Sequence, residues 1–303
     1  MSAPSPTGEQ RLAEIHAQLT AAVGALTHTE RWRRMLDVAA RFHHYSPNNV
    51  LLIAVQRPDA TLVAGYRTWA QLGRQVQRGE RGIGILAPVV ARREPEPEAD
   101  DALGARTLRG FRAAHVFDVA QTEGRPLHDV RPRLLSGGSP TGLWDRLATQ
   151  VYAAGYTLDR GPCGDANGYA DHERRHVRVR DDVGGAQAAK TLAHELAHVL
   201  LHQPGGPPRE RRLCEIEAES VAYVVAAAAR MPTGEYSVPY VAGWAGGNTD
   251  LLRDTASRVL TTSRQILVTA GAPDPSAALT AARELPLERV ADSRTDWTRQ
   301  LGA

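Results

Sequence analysis

The sequence predicts an α+β protein of two domains, and three observations support this prediction. Its 303 residues are more than one ordinary domain requires. In each half, segments with apolar residues at helical spacing accompany short apolar runs that are typical of strands. Between the halves, residues 131–141 contain prolines and glycines, which interrupt regular structure. We therefore predict one domain over residues 1–135 and a second over residues 142–303.

The first domain is predicted to be a small unit in which helices precede a pair of strands. Apolar residues recur at helical spacing in its first third, and two apolar runs follow an apolar stretch at residues 61–64. The strands are expected to pair across an exposed polar loop at residues 92–109. The predicted helices cover residues 8–25, 32–42, 50–56 with Asn48 as cap, and a short segment that Thr68 begins; the strands cover residues 82–90 and 111–119.

The second domain is predicted to contain a strand hairpin and several helices. The hairpin joins residues 168–171 to residues 176–180, whose alternating apolar and basic residues favour an edge strand. If a metal site of a peptidase lies beside such an edge strand, the strand can hold an extended peptide substrate. The predicted helices cover residues 143–155, 191–202, 214–225, 251–270 and 276–300. We expect the helix at 251–270 to cover the sheet. In the loop before it, Tyr236 or Tyr240 could stabilise the oxyanion that forms during peptide hydrolysis, although a packing role explains either residue better.

A metal site is predicted by the His-Glu-x-x-His pattern at residues 194–198, inside an apolar helical run. His194 and His198 are four residues apart, so their side chains project from one face of a helix and can hold one metal ion. Glu195 lies beside them as a candidate base for water that the metal activates. This is the arrangement of a zinc-dependent hydrolase.

A third ligand is expected from the acidic helix that follows. A catalytic zinc ion takes three protein ligands and keeps one open position. Glu215 and Glu219 share a helix face, whereas Glu217 is expected to point elsewhere. We assign Glu215 as the ligand and Glu219 as the acceptor of the free ring N–H of a ligand histidine. The nearby Asp171, His172 and His176 are weaker candidates because three ligands are already assigned.

These residues carry a resemblance to a known family. His194-Glu195-Leu196-Ala197-His198-x-Leu200-Leu201-His202, followed by Glu215-x-Glu217-Ala218-Glu219-Ser220, resembles the ImmA/IrrE-type zinc metallopeptidases. The resemblance implies a gluzincin-like fold, one zinc ion held by His194, His198 and Glu215, and Glu195 as the base. His202 does not occupy the position of a third histidine ligand, and we expect it to cap the end of its helix.

Basic residues are concentrated in the first domain, although the net charge of the whole chain is only +2. Residues 31–93 contain eleven arginines against three acidic residues, a local excess of about +8. Trp32, Tyr66 and Trp69 lie among them. Arginine side chains can bind phosphates and aromatic rings can stack on bases, which is what a protein that binds single-stranded nucleic acid requires. A solvated basic face around buried tryptophans explains the same composition.

A second resemblance favours the nucleic-acid interpretation. Gln56-x-Pro58-x-Ala60-Thr61-x-Val63-x-Gly65-Tyr66-x-x-Trp69 and Gly73-Arg74-x-Val76-x-x-Gly79-Glu80 are similar to the N-terminal domain of ArdC-type antirestriction proteins. The similarity extends over residues 30–125. It implies a domain that binds single-stranded DNA, joined to a zinc-peptidase-like domain. The arginines that we expect to contact DNA are Arg67, Arg74, Arg78 and Arg81.

The chain is thus expected to be a single-stranded-DNA-binding zinc metallopeptidase-like protein, related to antirestriction or to mobile elements. It should bind one Zn²⁺ per chain and act on a peptide or protein that the sequence does not identify. One alternative is a regulatory ImmA/IrrE-type peptidase that cleaves a repressor. Another is a DNA-binding protein with a catalytically silent zinc site. The polar N-terminus and short apolar runs predict a cytoplasmic protein that does not contact membranes.

Overall fold

The computed structural model of the protein describes residues 7–92, 106–125, 142–206, 209–231 and 248–272. Helices and strands alternate in both halves of the chain, which confirms the predicted α+β class. The first half contains α1 (Gly8–Ala25), α2 (Thr29–Arg41), α3 (Pro47–Gln56), β1 (Val63–Gly65), α4 (Tyr66–Gln71), β2 (Arg74–Val76), β3 (Ile83–Arg92), β4 (Arg106–Asp118) and β5 (Thr122–Gly124). The second contains α5 (Leu143–Ala153), β6 (Thr157–Arg160), β7 (Gly168–Asp171), β8 (His176–Val179), α6 (Gly185–Leu201), α7 (Arg211–Ala228) and α8 (Thr249–Thr269).

The larger sheet of the first half has the antiparallel order β1-β4-β3 and is covered by α1 and α3, while β2 and β5 pair in a separate two-stranded sheet. The edge strand β3 of the larger sheet is protected by two amide side chains of α3. Asn49 exchanges hydrogen bonds of 3.0 and 2.9 Å with the backbone of Leu86, and Gln56 exchanges bonds of 2.9 and 2.8 Å with that of Gly84. These bonds satisfy backbone groups that an open edge would leave to solvent or to another chain.

Several predicted boundaries in the first half were wrong by a few residues. The side chain of Ser46, and not that of Asn48, caps α3 by accepting from the N–H of Asn49, because Pro47 occupies the first turn. Helix α4 begins after Gly65 instead of at Thr68. Strand β4 begins at Arg106, inside the predicted loop, because pairing with β3 continues to Arg92.

The second half builds a three-stranded sheet of order β6-β8-β7, in which β8 pairs with both neighbours. The hairpin prediction is confirmed, but the prediction that residues 176–180 form an edge strand was wrong, because β6 pairs in parallel with the other side of β8. The edge strand of this hairpin is β7.

The prediction that the helix at residues 251–270 covers this sheet was also wrong. Buried Leu252, Val259 and Ile266 place α8 among helices, chiefly against α7, because its apolar face meets their apolar faces. The predicted helix at 276–300, the loop with Tyr236 and Tyr240, and the linker at 131–141 lie outside the described residues.

Helices α2 and α7 join the two halves in one hydrophobic core. Trp32 is fully buried, and its indole N–H donates to the hydroxyl of Ser220 at 3.0 Å. The hydroxyl of Tyr223 donates to the carboxylate of Asp37 at 2.5 Å. Trp69 is also fully buried and donates to the carbonyl of Phe117 at 2.9 Å. Both tryptophans therefore belong to the core and are not available to stack on nucleic-acid bases.

None of the helices in the described part of the chain combines the length and the apolar composition that a bilayer-spanning segment needs.

Candidate metal centre

Helix α6 presents an apolar face to the core and a pair of histidines to its neighbour α7. Leu192, Leu196 and Val199 are fully buried. His194 and His198, one turn apart, lie on the side that faces α7. Alanines at many of the remaining positions favour the helix and leave room for a close neighbour. The helix therefore holds both imidazoles rigidly at the surface of the core.

Three donor atoms converge between α6 and α7. The Nε2 atoms of His194 and His198 are 3.1 Å apart, and Oε2 of Glu215 lies 3.4 and 3.6 Å from them. Two ligands of a tetrahedral zinc ion, each at about 2.1 Å, are roughly 3.4 Å apart. The donor set therefore fits one zinc ion in both chemistry and spacing. Within the described ranges, these residues form the single group of at least three His, Cys, Asp or Glu side chains with such spacing.

His194 and the carboxylates around it stabilise each other's charged forms. Hydrogen bonds from His194 and His198 hold the pKa of Glu215 far below its usual range. Burial acts to lower the pKa of His194, but its bonds to Glu215 and Glu219 outweigh that effect and raise it to about 9. A divalent cation would replace the positive charge that His194 supplies, since it binds neutral imidazole and carboxylate together.

The second ring nitrogen of each histidine is held by the protein, which leaves Nε2 for a metal. Nδ1 of His194 lies 3.1 Å from Oε2 of Glu219, whose other oxygen lies 3.1 Å from Nζ of Lys190. Nδ1 of His198 lies 2.9 Å from Nδ1 of His202. Such partners fix the orientation of a ligand histidine. The structure thus brings Glu219 to the position expected for a partner of a ligand.

Glu195 extends from the same helix into a nearly closed space under β7. Its exposure is only 6%, and this burial raises the pKa of its carboxyl group to about 7. A general base works best when its pKa lies near the working pH. A Cβ atom on Gly168 would lie 3.1 Å from Oε1 of Glu195, 2.7 Å from Thr191 and 2.8 Å from the carbonyl oxygen of Arg178. Gly168 is therefore a residue of the site that sequence patterns missed.

Replacing Gly168 with Ala is expected to destabilise the fold by about 1–3 kcal/mol, because the added methyl group overlaps backbone that cannot move aside. We expect the same change to displace Glu195. Urea unfolding of the variant measures the first effect. Gly161→Ala is the matched control, since a methyl group there meets only ordinary contacts of 3.5–3.7 Å with Arg178. Equal stability of the two variants would contradict the prediction.

The weaker ligand candidates serve the hairpin instead of the metal group. Nδ1 of His172 lies 2.8 Å from the hydroxyl of Tyr156, and Nδ1 of His176 lies 2.9 Å from the hydroxyl of Thr157. The carboxylate of Asp171 accepts from the backbone N–H groups of Glu173 and Arg174. These bonds stabilise β7, β8 and the turn between them.

Glu217 points away from the face of Glu215 and Glu219, as predicted, and it does not belong to the metal group. Its burial was not predicted: the side chain is fully buried against α8 and the end of α6. His202 is the C-cap of α6, as predicted, and its ring contacts both His198 and Glu217. Glu217 lies four residues after the buried Leu213 and four residues before the buried Val221. That spacing was the available signal that it faces the core.

The four arginines expected to bind DNA do not form one group. Arg67, Arg78 and Arg81 are exposed, whereas Arg74 is half-buried. Its guanidinium donates to the hydroxyl and carbonyl of Thr122 at 2.8 and 2.9 Å and to the carbonyl of Arg125 at 2.6 Å, tying β5 to β2. Arg81 instead lines a cleft of about 680 Å³ between α1, α3 and the sheet, together with Arg11 and Arg57.

Comparison with known proteins accounts for both halves of the chain. Residues 7–118 match the family model described as the N-terminal domain of anti-restriction factor ArdC. Residues 160–238 match the peptidase family model described as the IrrE N-terminal-like domain. The chain joins an ArdC-type domain to an IrrE-type domain. The ArdC-type region contains the three arginines of the cleft, and the IrrE-type region contains the three converging donors.

Two proteins that are similar over most of this chain share little sequence identity with it. An uncharacterised protein of Bacillus anthracis is 25% identical, over 72% of this chain and 44% of the relative, so the chain spans less than half of that relative's length. The metal-free crystal structure of the antirestriction protein ArdC from the R388 plasmid has a TM-score of 0.48 and 19% identity, covering 79% of this chain and 85% of that one. Its Mn(II)-bound structure has a TM-score of 0.44 and 18% identity, with the same coverage.

Proposed function

We propose that the IrrE-type domain is a zinc-dependent peptidase centre. The observation that carries this proposal is the convergence of Nε2 of His194, Nε2 of His198 and Oε2 of Glu215 beside the buried carboxylate of Glu195. His194, His198 and Glu215 would hold the ion. When bound, zinc lowers the pKa of water and polarises a carbonyl group.

Residues of the chain would carry out proton transfer and substrate binding. Glu195 would accept a proton from the attacking water and return it to the leaving amine. The outer edge of β7, which no strand of the described ranges covers, is the place for an extended peptide, because its first residue, Gly168, lies against Glu195. Main-chain hydrogen bonds along that edge would hold a substrate with little dependence on its sequence.

The alternative of a silent structural zinc site is less well supported. A structural zinc ion is closed by four protein ligands, and the metal group in the described residues contains three. The side chain of Glu215 is 52% exposed, so the centre opens to solvent on that side. An open position and a nearby base are what a hydrolytic centre needs and a structural one does not.

The proposal is tested by metal analysis and by proteolysis of a peptide library with the purified full chain. We expect about one zinc ion per chain, cleavage that a chelator abolishes, and recovery when zinc is restored. A metal-free preparation that takes up no zinc would contradict the metal site. Stoichiometric zinc without cleavage of any peptide would support the silent-site alternative.

We further propose that the ArdC-type domain binds single-stranded DNA in the cleft of about 680 Å³, in keeping with a role in antirestriction. Arg11, Arg57 and Arg81 line it, and His115 contributes a further ring. Glu14 and Glu80 also line the cleft, so its net charge is close to +1 with a neutral histidine. Arginine side chains suit phosphates, and a groove of this size suits a nucleotide.

Replacing Arg11, Arg57 and Arg81 together with Gln is expected to weaken binding of an oligo-dT probe and to flatten its salt dependence. Each phosphate contact on a single strand contributes about 0.7 to the slope of log K against log salt, so the slope should fall by about 2. Fluorescence anisotropy of the full chain measures both. The full chain is required because Trp32 is buried against α7.

The matched control replaces three exposed arginines on helices that do not line the cleft, Arg146, Arg253 and Arg264, with Gln. It changes the net charge equally and should leave the slope unchanged. Equal effects of the two triple variants would show that only the overall charge matters and would contradict the assignment of the cleft. The Arg67 and Arg78 side chains can be tested in the same way.

A further inference from the structure

A continuous series of polar contacts leads from His198 into the core. Nδ1 of His198 is 2.9 Å from Nδ1 of His202, and Nε2 of His202 is 2.9 Å from Oε2 of Glu217. Oε1 of Glu217 accepts from Arg209 at 2.9 Å and from Arg258 at 3.1 Å. The contacts connect α6, α7 and α8.

The series allows one arrangement of protons when His198 serves as a ligand through Nε2. Its proton is then on Nδ1, which donates to Nδ1 of His202. His202 accepts there and therefore carries its own proton on Nε2, which donates to the carboxylate of Glu217. Each nitrogen and oxygen in the series has a role, and no two protons meet.

Glu217 is held in place as a buried anion. Its side chain is fully buried, and two guanidinium groups supply the compensating charge. Arg258 also donates to the carbonyl of Leu201 at 2.8 Å, at the end of α6, and Arg209 forms an ion pair with Asp254. Because a buried carboxylate without partners is costly, this network keeps its geometry. It thus provides a rigid end point for the series.

We propose that His202 and Glu217 are positioning residues that set the tautomer and the ring orientation of His198 for metal binding. The proposal rests on the proposed zinc site. His194 is oriented directly by Glu219, whereas His198 is oriented by Glu217 through His202. Each ligand histidine therefore has its own carboxylate, and losing such an orienting partner lowers metal affinity about 10–100-fold.

Three variants test the proposal. His202→Leu removes both ring nitrogens and is expected to weaken zinc binding about 10–100-fold. His202→Gln keeps one acceptor for His198 and one donor for Glu217, and it should retain affinity within a few-fold of the wild type. Gln203→Ala is the matched control, because Gln203 bonds the carbonyl of Val199 at 3.1 Å on the same helix end without forming part of the series.

Zinc affinity is measured by competition with a chromogenic chelator, and the visible spectrum of the Co²⁺ form reports the coordination geometry. Thermal unfolding of the metal-free variants separates binding from folding. If His202→Leu does not fold, His202→Phe, which keeps a ring and removes both ring nitrogens, takes its place and is expected to lose the same zinc affinity. Wild-type affinity in His202→Leu, or a loss in His202→Gln as large as in His202→Leu, would overturn the proposal. Failure of the wild type to bind zinc would instead contradict the proposed function.

Discussion

Replacing both His194 and His198 with Ala is expected to abolish stoichiometric zinc binding. The double change removes two of three donor atoms that lie within 3.1–3.6 Å of each other, and one carboxylate cannot hold the ion alone. The loss of affinity should exceed the roughly 100-fold expected when a residue that only orients a ligand is lost. Metal analysis after gel filtration measures the occupancy.

The control replaces the nearby His172 and His176, whose rings bond to Tyr156 and Thr157, with Ala. It removes the same number of imidazoles and should leave the zinc content unchanged. Glu215→Ala should lose more zinc than Glu210→Ala, since Glu210 is the N-cap before α7 and lies outside the group. Full occupancy in the His194 and His198 double variant would end the assignment.

Glu195→Gln is expected to lower peptide cleavage at least ~100-fold while zinc binding persists. Glu195 is not one of the three converging donors, and an amide of the same shape cannot accept the proton. The measurement is the initial rate on a cleavable peptide at matched zinc occupancy. Glu173→Gln, an exposed change in the turn of the hairpin, is the control. An unchanged rate in Glu195→Gln would remove Glu195 from the mechanism.

The same variant separates hydrolysis from DNA protection. If antirestriction depends on occlusion of DNA by the ArdC-type domain, protection from a restriction enzyme should survive in Glu195→Gln. Loss of protection with retained DNA binding would show that protection depends on hydrolysis. The result therefore distinguishes the single-strand binder from the regulatory peptidase, for which cleavage is the function.

Burial of Glu195 also predicts a dependence of stability on pH in the metal-free protein. Its pKa rises from 4.5 to about 7 on folding, so the folded state binds more protons than the unfolded state between these values. The free energy of unfolding should therefore fall as the pH rises from about 4.5 to 7, and Glu195→Gln should lack this part of the decrease. Parallel denaturation curves of the two proteins across this range measure the difference. Identical pH profiles would contradict the prediction.

The sequence by itself determined the local features of this protein. The bounds of α1 followed from apolar spacing alone. The i, i+4 spacing put His194 and His198 on one side of α6, and the same spacing put Glu215 and Glu219 together on α7. These results depend on helix geometry, which relates residues only a few positions apart. They therefore needed no knowledge of which elements become neighbours.

The tertiary structure decided which side of each element is covered, and by what. Glu217 is buried because α8 packs against its side of α7 and supplies Arg258 as a partner. Arg74 is bound to β5 and not to solvent, because the chain returns there 48 residues later. Gly168 matters because β7 passes close to Glu195. Each result depends on contacts between residues far apart in sequence, which periodicity does not encode.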